Sequence, residues 1–145
     1  MEIALRPVEP GDLPALFEQQ RDPESVAMAG VAAREREAFD AHWERILTDP
    51  ESVIRAVLAD GELVGSALSW RAEDGRRFIG YWLDRACWGR GIATAALERY
   101  LAVLDERPLY ADTTEDNAAS QRVLTRNGFV EAGDPSPGER HFRLD

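Results

Sequence analysis

Two short clusters in this chain carry residue types that do chemistry. The first is Trp88-Gly89-Arg90-Gly91-Ile92-Ala93-Thr94, which joins an apolar run to a stretch of helical periodicity. A helix N-terminus offers backbone N–H groups without intrahelical partners, at the positive end of the helix dipole. It is a ready site for an anion, phosphate above all. Glycines let the backbone curl toward such a ligand without Cβ atoms in the way, and Arg90 adds a fixed positive charge. The pattern is not G-x-G-x-x-G, because Thr94 stands where the third glycine would be. It is not a Walker loop either, because no G-K-S/T follows. A glycine-eased turn between strand and helix accounts for the same residues without a ligand. The second cluster is Asn117 and Ser120, three apart and so on one face of a helical first turn. Asn117 can also be a plain N-cap. Both clusters directly follow predicted strands. If those strands are neighbours, both helix N-termini open on the same edge of one sheet.

The elements that must position these clusters follow from periodicity. "EIALRPV" reads as a strand that stops at Pro7. Asp12 is placed to cap a helix with Pro14 in its first turn, and Leu13, Leu16, Phe17 and Gln20 share one face. From Glu35 to Leu47 a second helix shows Phe39, Trp43, Ile46 and Leu47 on one stripe. "SVIRAVLAD" and "ELVGSALSW" flank Asp60-Gly61, a strong hairpin signal. "RFIGYWLD" is a third strand. Ile92 to Leu104 reads as a helix, "RPLYADTT" as a strand, and "DNAASQRVLTRNGF" as a helix that ends at Gly128. Two short strands, "GFVEA" and "ERHFRLD", close the chain around the turn-rich "GDPSPG". Helices interleaved with an antiparallel meander place the fold in the mixed α/β or α+β class around one sheet.

The 145 residues fit one domain, with 44% hydrophobic and 30% charged residues, as in a soluble globular protein. No apolar run reaches the length of a membrane span, and the start lacks the pattern of a signal peptide. Cys87 is the only cysteine, so no internal disulfide forms and a cytoplasmic location is expected. The net charge of −10 disfavours nucleic acid and anionic membrane as partners and favours a cation such as an amine. Pairing into a homodimer through apolar residues of the closing strands is compatible with the sequence.

"IGYWLDRACWGRGIATAALERYL" followed by "NAASQRVLTRNGF" resembles the GNAT superfamily of acyl-CoA N-acyltransferases, closest to its ribosomal-protein alanine acetyltransferase branch. The likeness is strong over residues 52 to 130 and extends to "RPVEPGDLPAL". It implies a single domain over residues 1–145, with a mixed, mostly antiparallel, splayed sheet flanked by helices. It implies acetyl-CoA as co-substrate, no metal, and an acceptor amine on a small molecule or a protein. The main-chain amides of Trp88 to Thr94 would hold the pyrophosphate: Trp88, Gly89, Arg90, Gly91, Ile92, Ala93 and Thr94. The family pattern Q/R-x-x-G-x-G/A has Ala86 at its first position here, so Arg85 or Arg90 would supply the charge. Trp82, Leu83 and Asp84, on a strand splayed from its neighbour, would meet the pantetheine arm by β-type hydrogen bonds. Asn117 matches the asparagine that bonds that arm. Ser120 matches a position near the sulfur, from which a hydroxyl or an ordered water protonates the leaving thiolate.

The implied chemistry is direct attack of a neutral amine on the thioester carbonyl, which requires a base or a water chain to take the amine's proton. A main-chain amide of the splayed strand would serve the oxyanion. The glutamate that many members carry on the strand before the glycine turn is absent. Asp112, Glu115 and His141 are the candidate bases, with Asp112 preferred. Cys87 would sit by the phosphates and has no activating neighbour in sequence. No residue set has zinc spacing. The acceptor would lie over "QQRDPESVAMAGVAARERE" and the helix after it, where Met28, Phe39, His42 and Trp43 are candidate lining residues. A catalytically weak acyl-CoA sensor of the same fold is the alternative. An unrelated dinucleotide-binding domain would need a parallel sheet.

Overall fold

The computed structural model describes every residue except Val31 and Pro135. Val31 belongs to the expected acceptor stretch and Pro135 to the closing turn, so both positions lie outside the described residues. The chain folds as β1 (Ile3–Pro7), a short 3-10 turn (Pro10–Asp12), α1 (Leu13–Arg21), α2 (Pro23–Ala29) and α3 (Arg36–Thr48). There follow β2 (Ile54–Ala59), β3 (Glu62–Arg71), β4 (Arg77–Leu83), α4 (Ile92–Val103) and β5 (Leu109–Thr114). The chain closes with α5 (Ala118–Arg126), β6 (Val130–Glu131) and β7 (Glu139–Leu144). The strands form one sheet in the order β1-β2-β3-β4-β5-β7-β6. Every pairing is antiparallel except β4 with β5. The fold is therefore the mixed, mostly antiparallel sheet that the sequence implied, and a parallel dinucleotide-binding sheet is excluded.

Helices cover both faces. Leu97 and Tyr100 of α4, Leu104 just after it, Leu124 of α5, and Phe129 pack on Ile79, Leu109, Ala111 and Phe142 of the sheet. On the opposite face Leu16, Phe17, Phe39 and Trp43 pack on Ile54. Phe39 and Trp43 are thus core residues, as their periodic placement favoured. The hairpin turn sits at Asp60 (φ 49°) and Gly61 (φ 84°), the left-handed pair that a two-residue I′ turn requires. Among the described residues no helix is long and apolar enough to cross a membrane.

Two local expectations are corrected. The first concerns α2, a seven-residue helix where no element was expected. Asp22 caps it by accepting from the Ser25 amide at 2.9 Å, Pro23 opens it, and Gly30 closes it at φ 72°. Those are ordinary start and stop signals. The helix is simply too short to display an apolar period. The second concerns Asp12, whose side chain makes no capping bond to α1. It turns back instead and accepts from both terminal nitrogens of Arg6 at 2.7 and 2.9 Å and from the Glu9 amide at 2.8 Å. A bidentate, charge-assisted pair outcompetes a single amide bond. It also ties β1 to the start of α1.

The Arg6 guanidinium holds the Asp12 carboxyl below its ordinary range, helped by the Glu9 amide and opposed by burial. A carboxylate depressed in the folded state adds stability that is present above its unfolded value of about 3.9 and is lost as pH falls through the folded value. Asp12→Asn is expected to lower stability at pH 7 by about 1–2 kcal/mol, discounted for the partly exposed guanidinium. That deficit should shrink in urea titrations at about pH 3. A deficit of equal size at both pH values would refute the ion pair as its cause.

Candidate active site

β4 and β5 pair at one position, Phe78 with Tyr110, and then part. The opening holds a cavity of about 140 Å³ whose wall includes Gly80, Tyr81, Asp112, Thr114, Asn117 and Ser120. On its other side β4 stays in register with β3, with Trp82 opposite Ser66 and Gly80 opposite Leu68. The Asp84 amide bonds the Val64 carbonyl at 2.7 Å. Because an antiparallel ladder alternates, the amides and carbonyls of Tyr81 and Leu83 face the opening rather than β3. The Leu83 carbonyl accepts the Trp88 indole N–H at 3.3 Å.

A larger cavity of about 410 Å³ lies between the starts of α4 and α5, under α2. Tyr81, Asn117 and Ser120 belong to the walls of both cavities. At the α4 end Gly89 and Gly91 have φ of 74° and 77°. A Cβ at either would meet nothing within 4 Å. The glycines are therefore required by backbone conformation, and the space above them is open. The Ala95 amide is the first to bond within the helix, to Gly91 at 3.2 Å. Among the described residues the amides of Gly89 through Thr94 have no acceptor in the protein. This is a concave set of unsatisfied donors at a helix dipole's positive end.

At the α5 end the Asn117 carbonyl oxygen accepts from the Ser120 amide at 3.1 Å, so Asn117 is an N-cap. The Ser120 hydroxyl lies 2.6 Å from the Tyr81 phenol oxygen. Burial pushes the phenol up to about 12, against the pull of that hydrogen bond. Asn127 donates to the Thr94 carbonyl at 3.2 Å and to the Val123 carbonyl at 3.0 Å. It thereby locks the end of α5 onto the first turn of α4.

Asp112 is exposed and stands opposite His141 in the β5–β7 register. Its carboxylate accepts from His141 Nδ1 at 2.8 Å, and His141 Nε2 lies 2.9 Å from the Ser136 hydroxyl. An imidazole that donates from Nδ1 in its neutral form has Nε2 as an acceptor. Glu139 completes a group whose side-chain donor atoms lie within 4.8 Å of one another. The sequence reading did not foresee this grouping, because it spans two strands.

Of the predicted binding residues, Trp82, Leu83, Trp88, Gly89, Gly91, Ile92, Ala93, Thr94, Asn117 and Ser120 line the larger cavity. Asp84 and Arg90 do not. The Asp84 carboxylate accepts from the Ala86 amide within its own turn, and Arg90 is exposed outside the wall. Arg85 is taken by Asp22 and Glu24, at 3.0 and 3.2 Å. The sequence reading missed Arg122 and Arg126, which reach the larger cavity from α5. Their i, i+4 spacing was the available signal. It also missed Tyr81. Met28 lines the larger cavity. His42 lines neither cavity; it bonds Arg45, and its pKa is lowered by burial first and by the Arg34 charge next. Cys87 is buried, and burial followed by the Asp84 charge pushes its thiol up. A thiol so disposed is not a nucleophile.

A family model described as an acetyltransferase (GNAT) domain matches residues 2–130. A Bacillus subtilis (strain 168) protein provisionally named a ribosomal N-acetyltransferase, YdaF, is 29% identical over 150 residues, covering 94% of this chain and 82% of its own length. An acetyltransferase from Thermus thermophilus superposes with a TM-score of 0.83 at 23% identity, over 99% of this chain and 97% of that one. Spermidine N-acetyltransferase from Vibrio cholerae, solved with CoA and spermine, gives a TM-score of 0.80 at 17% identity, over 97% and 92% of the two chains. Aminoglycoside acetyltransferase AAC(6')-Ib, solved with coenzyme A, gives 0.81 at 18% identity, over 99% and 94%. These solved structures share the fold.

The backbone argument at the glycine turn has a direct check. Gly91→Ala is expected to cost about 1–2 kcal/mol in thermal or urea unfolding, because alanine is strained at positive φ. Gly91→Asn should cost less, since asparagine tolerates that region. Equal stability of Gly91→Ala and wild type would show that the turn does not hold the left-handed conformation.

Proposed function

Because this chain belongs to the GNAT acetyltransferase family, we propose that it is an acetyl-CoA-dependent N-acetyltransferase, one domain over residues 1–145. The acetyl group would pass directly to a primary amine on a small molecule or a protein. The observation that carries this reading is a pair of neighbouring cavities that share Tyr81, Asn117 and Ser120 as wall. Unsatisfied amides at Gly89 to Thr94 lie at the larger one, and the strand gap holds the smaller one beside it. Pyrophosphate fits the donors at the helix end. An amide-bearing arm fits the backbone groups of Tyr81 and Leu83, which face the gap as a free strand edge does. Trp82, Trp88, Asn117 and the first turn of α4 supply the remaining wall. Arg122 and Arg126 add positive charge on the same side.

The acceptor amine carries a proton in water and must lose it to attack. Asp112, held to His141 at 2.8 Å, lines the gap and serves as the base, oriented by the Nδ1–H of the imidazole, and gives the proton on to solvent. The nitrogen attacks the thioester carbonyl. The C–N bond forms, the C–S bond breaks, and the electron pair leaves with sulfur. A main-chain amide facing the gap stabilises the oxyanion. Ser120, at the junction of the two cavities, delivers a proton to the thiolate. The net charge of −10 favours a cationic acceptor. The spermidine and aminoglycoside named for two structural relatives are amines as well. A base beside the gap favours turnover over a silent sensor.

Calorimetry with acetyl-CoA followed by thiol release over a panel of amines tests the reading. Wild type should bind and release thiol with one amine class, and Gly91→Trp should fill the helix end and abolish binding. Undiminished binding by Gly91→Trp would remove the assignment of the glycine turn. Asp112→Asn and His141→Gln are each expected to lower kcat by about 10²-fold. Combined, they should cost little more than either alone, because they act as a unit. Multiplicative losses would separate the two residues.

A further inference from the structure

We propose that Tyr81 is a positioning residue for the proton that reaches the departing thiolate: its phenol donates to Ser120 Oγ and turns the serine's own O–H into the cavity. The inference rests on the acetyl-transfer reading above and goes beyond it by naming what holds the serine.

Three observations carry it. The first is place. Tyr81 and Ser120 both line both cavities, so their contact lies where the strand gap meets the larger cavity. The second is geometry. The phenol oxygen lies 2.6 Å from Ser120 Oγ, a contact in which either oxygen can donate, and 3.3 Å from the Ser120 carbonyl, which accepts. The shorter is a strong O–H···O distance and the longer a weak one. A serine hydroxyl that accepts the phenol's proton has its own proton left to donate elsewhere. The third is rigidity. Tyr81 stands in β4 between Ile79 and Leu83, both buried, and its ring packs against the core under α4 and α5. The backbone of Ser120 is fixed by the Asn117 cap. The phenol cannot leave without breaking packing, and the Ser120 backbone cannot shift without breaking a helix start. The buried phenol stays protonated through the working range, so it remains a donor.

The proton balance is complete. As the C–S bond breaks, the Ser120 proton moves to sulfur and the Tyr81 proton moves to Ser120 Oγ. The proton taken from the amine by the Asp112–His141 pair reaches Tyr81 through solvent. No net proton is gained or lost, and free coenzyme A leaves as the thiol.

Tyr81→Phe keeps the ring and removes the hydroxyl. It is expected to lower kcat about tenfold or more, while KM for acetyl-CoA stays within about threefold and the melting temperature is unchanged within a few degrees. Ser120→Ala should lose at least as much, and the double variant should be no slower than Ser120→Ala. In mixtures of H2O and D2O the wild-type rate should bow as two protons in flight require, and Tyr81→Phe should give a straight line. A Tyr81→Phe rate within twofold of wild type would overturn the proposal. So would multiplicative losses in the double variant, or a straight line for wild type itself, which needs no variant to fold. Wild type that binds acetyl-CoA yet acetylates no amine sinks the acetyl-transfer reading, and this proposal with it. Turnover by wild type with an indifferent Tyr81→Phe sinks this proposal alone.

Discussion

The parting of β4 and β5 is the constraint on which the rest of this structure depends. Parallel neighbours place the C-terminal ends of both strands at one edge of the sheet. α4 follows β4 and α5 follows β5, so both helices must begin at that edge. Every other pair in the sheet is antiparallel and cannot align two helix starts in this way. The single pairing at Phe78 and Tyr110 is enough to set the direction. Its early end leaves backbone groups that must find other partners. A gap in a sheet and two helix dipoles thus converge on one point for a topological reason.

Something must keep the gap from closing, and the neighbours on each side do so. β5 is fully paired with β7 over six residues, from Leu109 with Leu144 to Thr114 with Glu139. β4 is held equally firmly to β3. A Cβ on Gly65 would lie 2.1 Å from the Trp82 carbonyl oxygen and 3.0 Å from Leu83 Cα, so only glycine permits that approach. The Trp82 indole donates to the Gln19 carbonyl at 3.2 Å, anchoring β4 to α1. Across the gap the ends are tied through α2, where the Met28 carbonyl accepts from the Thr114 hydroxyl at 3.2 Å. The strands are pulled apart by good pairing elsewhere rather than by a defect between them.

Much of this was legible in the sequence, and the limits were physical. The hairpin at Asp60-Gly61, the helices from Ile92 and after Asn117, and the core roles of Phe39 and Trp43 all rest on local periodicity or turn chemistry. Those signals survive folding because tertiary packing reinforces them. α2 escaped because seven residues are too few for an amphipathic period. Asp12 was misjudged because its partner, Arg6, lies outside the helix it precedes, so no local rule weighs the ion pair. Asp112 and His141 were each singled out, yet their contact spans 29 residues and depends on strand register. Tyr81 looked like one more residue of an apolar strand, since only the position of α5 brings Ser120 to its hydroxyl.

Charge was the hardest property to read, because an average conceals a division. With a net charge of −10 the chain should repel a phosphate. Arg85, one of the two sequence candidates for attracting one, spends its charge on Asp22 and Glu24. That triad instead fastens α2 to the turn before α4. The cations that reach the larger cavity are Arg122 and Arg126, one turn apart on a helix whose start caps the same space. Both are exposed, so salt screens them within about 8 Å at physiological strength. They steer an anion more than they hold it. The holding falls to the amides of Gly89 to Thr94, which are fixed in place by the backbone and cannot be screened away at contact distance. An acidic protein can therefore keep an anion site at one helix end, with carboxylates free to face the other side of the gap.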